Sequence, residues 1–505
     1  MAGRGALRLS RQASRGSCSA VDSLSSQKAP ALGMVIPVLT LNAGLTTGDF
    51  GWNSPSFKRM AKYKFQAVQQ MLSIGGWDVV VADTDTAWLR NPLPYFAARP
   101  DPDILTSTDV LRRMPLKEQF HSTLNIGVMV FRARPGAVAF VTAFYTEMVE
   151  DPKFGSGDAE WDQARFNRMV REGMDLGPRE QEWAAGWGGR VKVQALDIVD
   201  FPNGHVYFAQ RLPQQLGIVP YIVHATFQYG GTTGKRHRFR EWLAWGADPP
   251  EYYAPPAGLL SYSFVNDPTL LAVANSSVEA HFALMNPQLE ALRSAWGVAR
   301  ALGRVLVMPQ FTCGMDRVWF PHDGVFPGSD PIFTIPFTPC PMDHMLDTDA
   351  MDRRGLLDQI REYSLLSNPL MPATTVASAA KADWGAAAGV AADGTRLLPF
   401  GATAAQVVEL LAPLKAAPLI AFASMPPGAA SFGGWPAGDA EGTKFSEDMR
   451  PIGSQWCCIN EQQAKERGQK FPPGQVWYDM LVNVVPHTDR HGRKWDGPFK
   501  IMLGP

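Results

Sequence analysis

The sequence lacks an excess of charge of either sign. Its 505 residues include 47 Lys and Arg against 48 Asp and Glu, which leaves a formal net charge of −1. Proteins that wrap nucleic acid carry a broad basic face, so this balance argues against a nucleic-acid partner. Hydrophobic residues make up 46% of the chain, enough to bury a core, and the length is typical of two or three domains.

Long hydrophobic runs are also missing. No stretch of about 20 apolar residues occurs, so we expect no transmembrane segment and no signal anchor in this chain. Residues 1–33 are predicted to form a disordered leader that is basic, rich in serine and poor in acids, without the apolar core of a secretory signal. This composition fits either an organellar transit peptide or a disordered tail behind an incorrectly assigned start codon.

Cysteine is scarce, with five residues in the whole chain. Cys313 and Cys340 lie in neighbouring predicted loops and could form a disulfide in an oxidising compartment. Cys457 and Cys458 are adjacent in sequence, where a bond between the two would be strained, so they need other partners or stay reduced. No Cys and His residues have the spacing of a zinc site.

The pattern that is present alternates helices with strands. Apolar residues at helical spacing indicate helices, and short β-branched runs are typical of buried parallel strands. The predicted elements are a helix over residues 56–74, strands over 77–82, 103–106 and 125–131, and a helix over 136–150. This order predicts an α/β domain over residues 34–250, and ligands of such domains gather at the carboxyl ends of the strands.

A second α/β domain is predicted over residues 261–505, after a Pro- and Tyr-rich linker at 251–260. Insertions rich in Ala, Gly and Pro interrupt it, and its opening helix and strand faintly resemble a Rossmann-like domain. The predicted elements are a helix over 288–302, a strand over 304–309, a helix over 403–415 that Pro413 would kink, and a strand over 418–423.

An Asp-x-Asp (DxD) pattern follows the first predicted strand, at Asp83 and Asp85. Two carboxylates one residue apart at a strand end can hold a divalent cation, whose remaining positions take diphosphate oxygens. The same pattern occurs at residues 101–103 and 347–349, where it does not follow a buried strand in the expected place. Those two pairs are interpreted as turn and surface acids.

The Asp-x-Asp pattern is one of several motifs that occur together. The motifs are DTDTAWLRNP at 83–92, LNIGVMVFRA at 124–133, WDQARFN at 161–167, HATFQ at 224–228 and GKRHR at 234–238. In this order the chain resembles plant and algal nucleotide-diphospho-sugar transferases of glycosyltransferase family seventy-seven, and it is most similar to the extensin arabinosyltransferase branch. The resemblance covers about residues 40 to 370.

The resemblance implies a GT-A fold, a UDP-sugar donor and a transfer that is assisted by Mn²⁺ or Mg²⁺ and retains anomeric configuration. It implies L-arabinofuranose as the sugar, and hydroxyproline-linked arabinosides of cell-wall glycoproteins as the acceptor, in the Golgi apparatus. Xylose and galactose remain open as alternative sugars, because no residue of the sequence by itself identifies the donor.

By the same resemblance, Asp83 and Asp85 bind the metal and the diphosphate, and His224 is the third metal ligand. Lys235 and Arg236 are predicted to face the diphosphate, together with Arg238. Taken alone, a histidine at a strand end more often satisfies local hydrogen bonds, and these basic residues equally fit a solvated turn.

Two further pairs are predicted to line the donor. Asn125 and Gly127 begin a strand beside the expected sugar pocket, and a buried asparagine can also serve only the backbone. Asp162 and Gln163 are predicted catalytic residues at the edge between donor sugar and acceptor. Asp162 would steady a developing oxocarbenium ion, although an acid in the first turn of a helix fits the pattern nearly as well.

One departure from the family concerns the start of the domain. Only residues 34–53 precede the first predicted helix, so we expect the GT-A domain to be shortened at its N-terminal side. A chain without the nucleotide-binding start could be a non-catalytic glycan-binding or scaffold protein. A metal-dependent hydrolase is a third alternative, disfavoured because no general base stands out beside the two aspartates.

Overall fold

The computed structural model describes residues 55–154, 160–228, 230–274, 278–314, 339–457, 476–485 and 500–503. Two α/β units, each built on a mixed β-sheet, account for most of these residues. The coarse α/β prediction is therefore confirmed. The predicted leader and the start of the predicted first domain lie outside the described residues.

The first unit begins with the long helix that the apolar spacing predicts. Its elements are α1 (Pro55–Gly75), β1 (Val79–Ala82), β2 (Thr86–Trp88), α2 (Leu93–Ala97), β3 (Ile104–Thr108), β4 (Leu124–Phe131), α3 (Pro135–Glu150), α4 (Asp162–Arg171), β5 (Trp183–Gly186), β6 (Val191–Ala195), α5 (Leu212–Gln215), β7 (Ile222–His224) and α6 (Gly231–Glu241). A five-stranded sheet has the order β1-β4-β3-β6-β5, and β2 pairs with β7 in a separate antiparallel ribbon.

Strand β4, which lies between β1 and β3 in the sheet, buries both of its faces. Met129 and Phe131 face one core, where Phe65 of α1 meets Phe144 of α3 with ring centroids 4.7 Å apart. The alternate residues of the strand face a second core that includes Phe96. Successive side chains of a strand point to opposite faces, so this continuous apolar run fits a strand that is covered on both sides.

The strand predicted over residues 77–82 is present as β1, but its predicted direction was wrong. β1 pairs antiparallel with β4, with Val79 opposite Phe131, whereas a parallel neighbour was expected. Only Val79 is buried, and the other three residues of β1 are half-buried. A β-branched run reports that a segment is extended and apolar, and it carries no information on the direction of its neighbour.

The second unit follows directly along the chain. Its elements are α7 (Pro250–Tyr253), β8 (Leu259–Tyr262), α8 (Pro268–Val273), α9 (Val278–Ala301), β9 (Val305–Val307), α10 (Met342–Met345), α11 (Thr348–Arg353), β10 (Ile360–Arg361), α12 (Ala373–Ala377), β11 (Ala380–Gly385), β12 (Gly389–Val390), β13 (Arg396–Pro399), β14 (Ala402–Thr403), α13 (Ala404–Leu411), β15 (Leu419–Phe422), β16 (Phe432–Gly434), α14 (Ala440–Met449), β17 (Gln455–Cys457), β18 (Val476–Trp477), β19 (Val482–Val485) and β20 (Lys500–Leu503). Its main sheet has seven strands in the order β10-β9-β8-β15-β11-β13-β12, and every pairing is parallel except that of β12 with β13.

Two predicted boundaries in this unit differ from the structure. The helix predicted from residue 288 already begins at Val278 and continues through Pro287. Its extra turns are held because Phe282 and Met285 are completely buried in the core, which offsets the hydrogen bond that proline removes. The predicted linker at 251–260 contains most of α7 and the first half of β8, because Leu259 and Leu260 belong to the buried sheet.

The helix predicted over residues 403–415 is shorter in the structure. Helix α13 ends at Leu411 and a short 3₁₀ turn containing Pro413 follows it, so the proline ends the α-helix rather than kinking it. Cys313 and Cys340 form a disulfide with Cα atoms 5.5 Å apart, as their placement in neighbouring loops predicted. Cys458 lies outside the described residues. Among the helices that the structure describes, none has the length and apolar character needed to cross a membrane.

Candidate active site

Asp83, Asp85 and His224 meet in the first unit. Their ligand atoms lie within 4.8 Å of one another. His224 Nε2 is 3.3 Å from one carboxylate oxygen of Asp85 and 3.9 Å from one of Asp83. The structure thus brings together the three residues that were predicted to bind a metal.

Backbone pairing explains why the three side chains converge. Asp83 directly follows β1, and its N–H donates to the carbonyl of Gly127 on β4 at 2.8 Å. Asp85 directly precedes β2, which pairs with β7 so that Thr86 lies opposite His224. The carbonyl of Asp85 accepts a hydrogen bond from the Ala225 N–H at 2.9 Å. The ribbon β2–β7 therefore fixes the histidine beside the aspartates.

Gly127 provides the space for the histidine ring. A Cβ atom added at Gly127 would lie 2.0 Å from Cε1 of His224, so no larger residue fits while the imidazole keeps its place. Gly127 was predicted to line the sugar pocket. In the structure Gly127 lies against His224 of the candidate metal site. This contact explains why the position has no side chain, which the sequence alone did not show.

Two lysines neutralise the carboxylates. Lys64 Nζ lies 2.7 Å from Asp83 Oδ1 and also donates to the carbonyl of Ile126, and Lys235 Nζ lies 2.6 Å from Asp85 Oδ2. Lys235 was a predicted site residue, whereas Lys64 was missed. The available signal was a lysine in phase with the apolar face of helix α1, where a side chain points towards the sheet.

The charges around the cluster shift the pKa values of Asp85 and His224. Burial alone would raise the pKa of Asp85, but His224 and Lys235 hold that pKa well below its usual range. Burial alone would lower the pKa of His224, yet the two aspartates raise it. The cluster is therefore a set of anionic oxygens and one imidazole. A cation that binds the imidazole nitrogen takes the place of its proton.

A second group of predicted residues lies behind the cluster. Asn125 and Gln163 both donate to the carboxylate of Asp109, at 2.8 and 3.2 Å. The other amide atoms bind backbone, because Asn125 Oδ1 accepts from Gly127 N–H and Gln163 Oε1 accepts from Ile126 N–H. Burial raises the pKa of Asp109, a residue that no sequence motif indicated. These side chains shape the segment of β4 that contacts His224.

Asp162 starts helix α4 and is buried. Burial raises its pKa, while Lys64 acts in the opposite direction and the charge of Asp83 adds to the rise. The carboxylate therefore lies within the electrostatic field of the candidate site. Its predicted catalytic role stays a prediction, and the alternative of an acid in the first turn of a helix describes its position equally well.

The basic residues of the 234–238 motif point in different directions. Lys235 reaches Asp85, Arg236 is exposed with its guanidinium 5.5 Å from the ring centroid of Trp245, and Arg238 is completely buried against Asp343. The prediction that Arg238 faces a diphosphate was wrong, because its guanidinium is buried and paired with Asp343. The alternative of a solvated turn was also wrong, because the segment is helix α6. Lys235 and Arg236 are successive residues of this helix and point about 100° apart, so these two side chains have different surroundings.

The other two Asp-x-Asp pairs have structural partners. Asp103 accepts a hydrogen bond from the Lys192 N–H, and Asp347 caps helix α11 by accepting from the Ala350 N–H. Asp349 is exposed and pairs with Arg353 in the next turn. These contacts agree with the interpretation of the two pairs as turn and surface acids.

The donor set fits a divalent cation of the Mn²⁺ or Mg²⁺ type. Carboxylate oxygens suit both ions, and an imidazole nitrogen favours Mn²⁺. The space that Gly127 leaves for the His224 ring shows that the fold accommodates this third donor in place. Asp83, Asp85 and His224 are therefore the residues that would hold the ion.

An α/β unit with paired aspartates at a strand end is the architecture expected of a sugar-nucleotide transferase, and comparison with known families agrees. Residues 19–239 match the family model described as nucleotide-diphospho-sugar transferase. This part of the chain belongs to that family, as the sequence motifs predicted. The match begins ahead of residue 34, where the domain was predicted to start.

The chain is also similar to an individual protein of known activity. The chain is 37% identical over 352 residues to Arabinosyltransferase XEG113 of Arabidopsis thaliana, an alignment that covers 67% of this chain and 53% of the relative. The chain thus spans about half the length of that protein. The alignment is longer than the family match, so it includes residues from outside residues 19–239.

Proposed function

We propose that this protein is a metal-dependent glycosyltransferase that moves L-arabinofuranose from a UDP-sugar to hydroxyproline-linked arabinosides of cell-wall glycoproteins, with retention of configuration. The observation that carries the proposal is the convergence of Asp83, Asp85 and His224 inside the segment that matches the transferase family. The choice of arabinose rests on the similarity to the Arabidopsis arabinosyltransferase.

The side chains of the cluster have separate tasks in this proposal. A divalent cation held by the two aspartates and His224 supplies electrostatic stabilisation to a diphosphate leaving group. Lys235 is partly exposed beside Asp85, so its ammonium group can donate hydrogen bonds to diphosphate oxygens. Lys64 fixes Asp83 and ties helix α1 to the Ile126 carbonyl.

We assign the donor sugar and the acceptor to the side of the site where Asp162 and Gln163 lie. Asp162 is close enough to feel the charges of Lys64 and Asp83, and a carboxylate there would steady positive charge that develops on the donor sugar. Gln163 and Asn125 both donate hydrogen bonds to Asp109, and this shared carboxylate fixes the position of the Gln163 side chain. These roles are part of the proposal, as is front-face displacement without a protein nucleophile.

We place the protein in the Golgi apparatus. The disulfide between Cys313 and Cys340 supports an oxidising compartment, since such bonds persist in the secretory route and are rare in the cytosol. The proposed acceptor, a hydroxyproline-rich glycoprotein, passes through the same compartment.

The test is UDP release by the purified chain across a panel of UDP-sugars, with Mn²⁺ or with EDTA, in the presence of arabinosylated hydroxyproline peptides. We expect turnover of one donor that requires the metal and falls about 100-fold or more in Asp85→Asn, the scale expected for loss of an electrostatic contact to the transition state. Asp101→Asn is the matched control, because Asp101 belongs to another Asp-x-Asp pair and its side chain is exposed.

The outcomes separate the alternatives. Turnover of UDP-xylose or UDP-galactose would show that the protein is a glycosyltransferase whose donor sugar is not arabinose. UDP release that yields only free sugar, whatever acceptor is supplied, would favour a hydrolase. A folded protein that neither turns over nor binds UDP would contradict the transferase, and retained binding to arabinosylated peptides would then favour the scaffold.

A further inference from the structure

Helix α6 carries Lys235 into the candidate active site, yet much of its surface is attached to the second unit. At its start, Thr233 donates from its hydroxyl to Asp352 at 3.0 Å. Just before it, Gly230 has a φ of +78°, and a Cβ atom there would lie 1.8 Å from the hydroxyl of Thr348. The chain therefore enters the helix pressed against α11 of the second unit.

The middle of the helix is held by a buried ion pair. The guanidinium of Arg238 contacts Asp343 through Nε at 2.9 Å and through a terminal nitrogen at 2.8 Å, and both side chains are almost completely buried. Near the end of the helix, Glu241 accepts a hydrogen bond from the Met342 N–H at 3.0 Å. Contacts with residues 342–352 thus run from the first turn of the helix to the last.

Lys235 lies between these attachments along the helix, and its side chain reaches Asp85 of the first unit. Its ammonium group is 2.6 Å from Asp85, while Arg238, three residues later, is anchored in the second unit. From this geometry we propose that the second unit positions Lys235 at the active site through the Arg238–Asp343 pair. Arg238 and Asp343 are then positioning residues, and Lys235 is the group that acts on the diphosphate, a role that rests on the proposed function.

The buried ion pair restricts how far the helix can move. Two buried charges are stable only while they stay paired, so Arg238 cannot move away from Asp343 without leaving an uncompensated charge in the protein interior. A helix fixed at that point fixes the direction of Lys235 one turn earlier. Loss of the pair weakens the docking of the helix, so the ammonium group lies beside Asp85 for a smaller fraction of the time.

Zero-length cross-linking with a water-soluble carbodiimide tests this placement without any substrate. The reagent joins an amine to a carboxylate only when they touch, so the metal-free protein should give two products, Lys235–Asp85 and Lys64–Asp83, which mass spectrometry distinguishes. In Asp343→Asn we expect the first product to fall roughly tenfold relative to the second, equivalent to about 1.4 kcal/mol in the docking of the helix. Lys64 on α1 is the internal control.

Two further variants guard against a general loss of folding. Thr233→Val keeps the buried pair and removes one surface contact, so it should lower the Lys235–Asp85 yield in the same direction but less. The paired change Arg238→Met with Asp343→Leu replaces the ions by apolar groups that can keep the helix docked, and it should restore the yield. An unchanged product ratio in all three variants, or a wild-type protein that gives only the Lys64 product, overturns the proposal.

Donor kinetics provide the functional readout. In Asp343→Asn we expect the KM for the UDP-sugar to rise, and we expect no additional rise when Lys235→Met is added, because both changes remove the same interaction. Additive effects would contradict positioning through Lys235. If the wild-type protein shows no turnover, the proposed function fails, while the cross-linking ratio still decides whether the second unit places Lys235.

Discussion

Gly127 leaves just enough room for the imidazole of His224 beside the two aspartates. Backbone pairing brings His224 to Asp83 and Asp85, and its ring fits there because Gly127 has no side chain. Sequence alone predicted Asp83 and Asp85 as a possible metal pair, because they are neighbours after a strand. His224 required the family resemblance, since the chain reaches it only through the β2–β7 pairing.

Gly127→Ala should therefore weaken metal binding without preventing folding. The new methyl group would displace the His224 ring, and we expect the affinity for Mn²⁺ to fall about tenfold or more, comparable with the loss of a supporting contact at other metal sites. Titration of Mn²⁺ by electron paramagnetic resonance measures the affinity. Gly389→Ala is the control, because an added Cβ there has no neighbour within 4 Å, and equal affinities in the two variants would contradict the assignment.

At the scale of elements, periodicity predicted the two long helices α1 and α3 and the strands β1, β3 and β4 of the first unit, and tertiary contacts decided the rest. The spacing of Phe65 and Val68 marks the buried face of α1, but that spacing could not show that Lys64 beside them reaches Asp83. Asp109 was missed for the same reason, because its partners Asn125 and Gln163 come from β4 and α4. Such roles depend on contacts that no local pattern contains.

The local sequence pattern also failed to predict the antiparallel direction of β1 and the early start of α9. Strand direction is set by the path of the chain between strands, which apolar content does not encode. For α9, the predicted start at residue 288 was too late, because burial of Phe282 outweighs the local cost of Pro287 inside the helix. Local propensity is a weak signal wherever a core can override it.

The disulfide is an element-scale constraint that can be removed by reduction. Cys313 and Cys340 are 27 residues apart, and a cross-link of that span stabilises a fold by about 3.5 kcal/mol through the unfolded chain. We expect dithiothreitol to lower the free energy of unfolding by about this amount in urea titrations. The double variant Cys313→Ser with Cys340→Ser should be insensitive to dithiothreitol, and a wild-type midpoint that does not move on reduction would contradict a structural bond.

At the scale of the whole molecule, the two units meet at a buried charge. Arg238 belongs to the segment that matches the transferase family, and Asp343 lies outside it. The motif GKRHR did not show that its basic residues have different roles. A basic run is compatible with a solvated turn, a diphosphate site or an interface. The three-dimensional structure assigns Lys235 to the site, Arg238 to the interface and Arg236 to the exposed surface.

The interface pair should make stability depend on pH. Burial alone would raise the pKa of Asp343, but Arg238 and His344 hold it well below the usual value of 3.8. A lowered pKa in the folded state means that the contribution of Asp343 is complete above the unfolded pKa and is lost as the pH falls below about 4. Asp343→Asn should therefore cost about 3 to 5 kcal/mol at pH 7, the range for breaking a buried pair. In urea titrations between pH 7 and pH 3, the difference between wild type and variant should shrink below pH 4, and a difference that stays constant over this range would show that the Asp343 charge does not hold the units together.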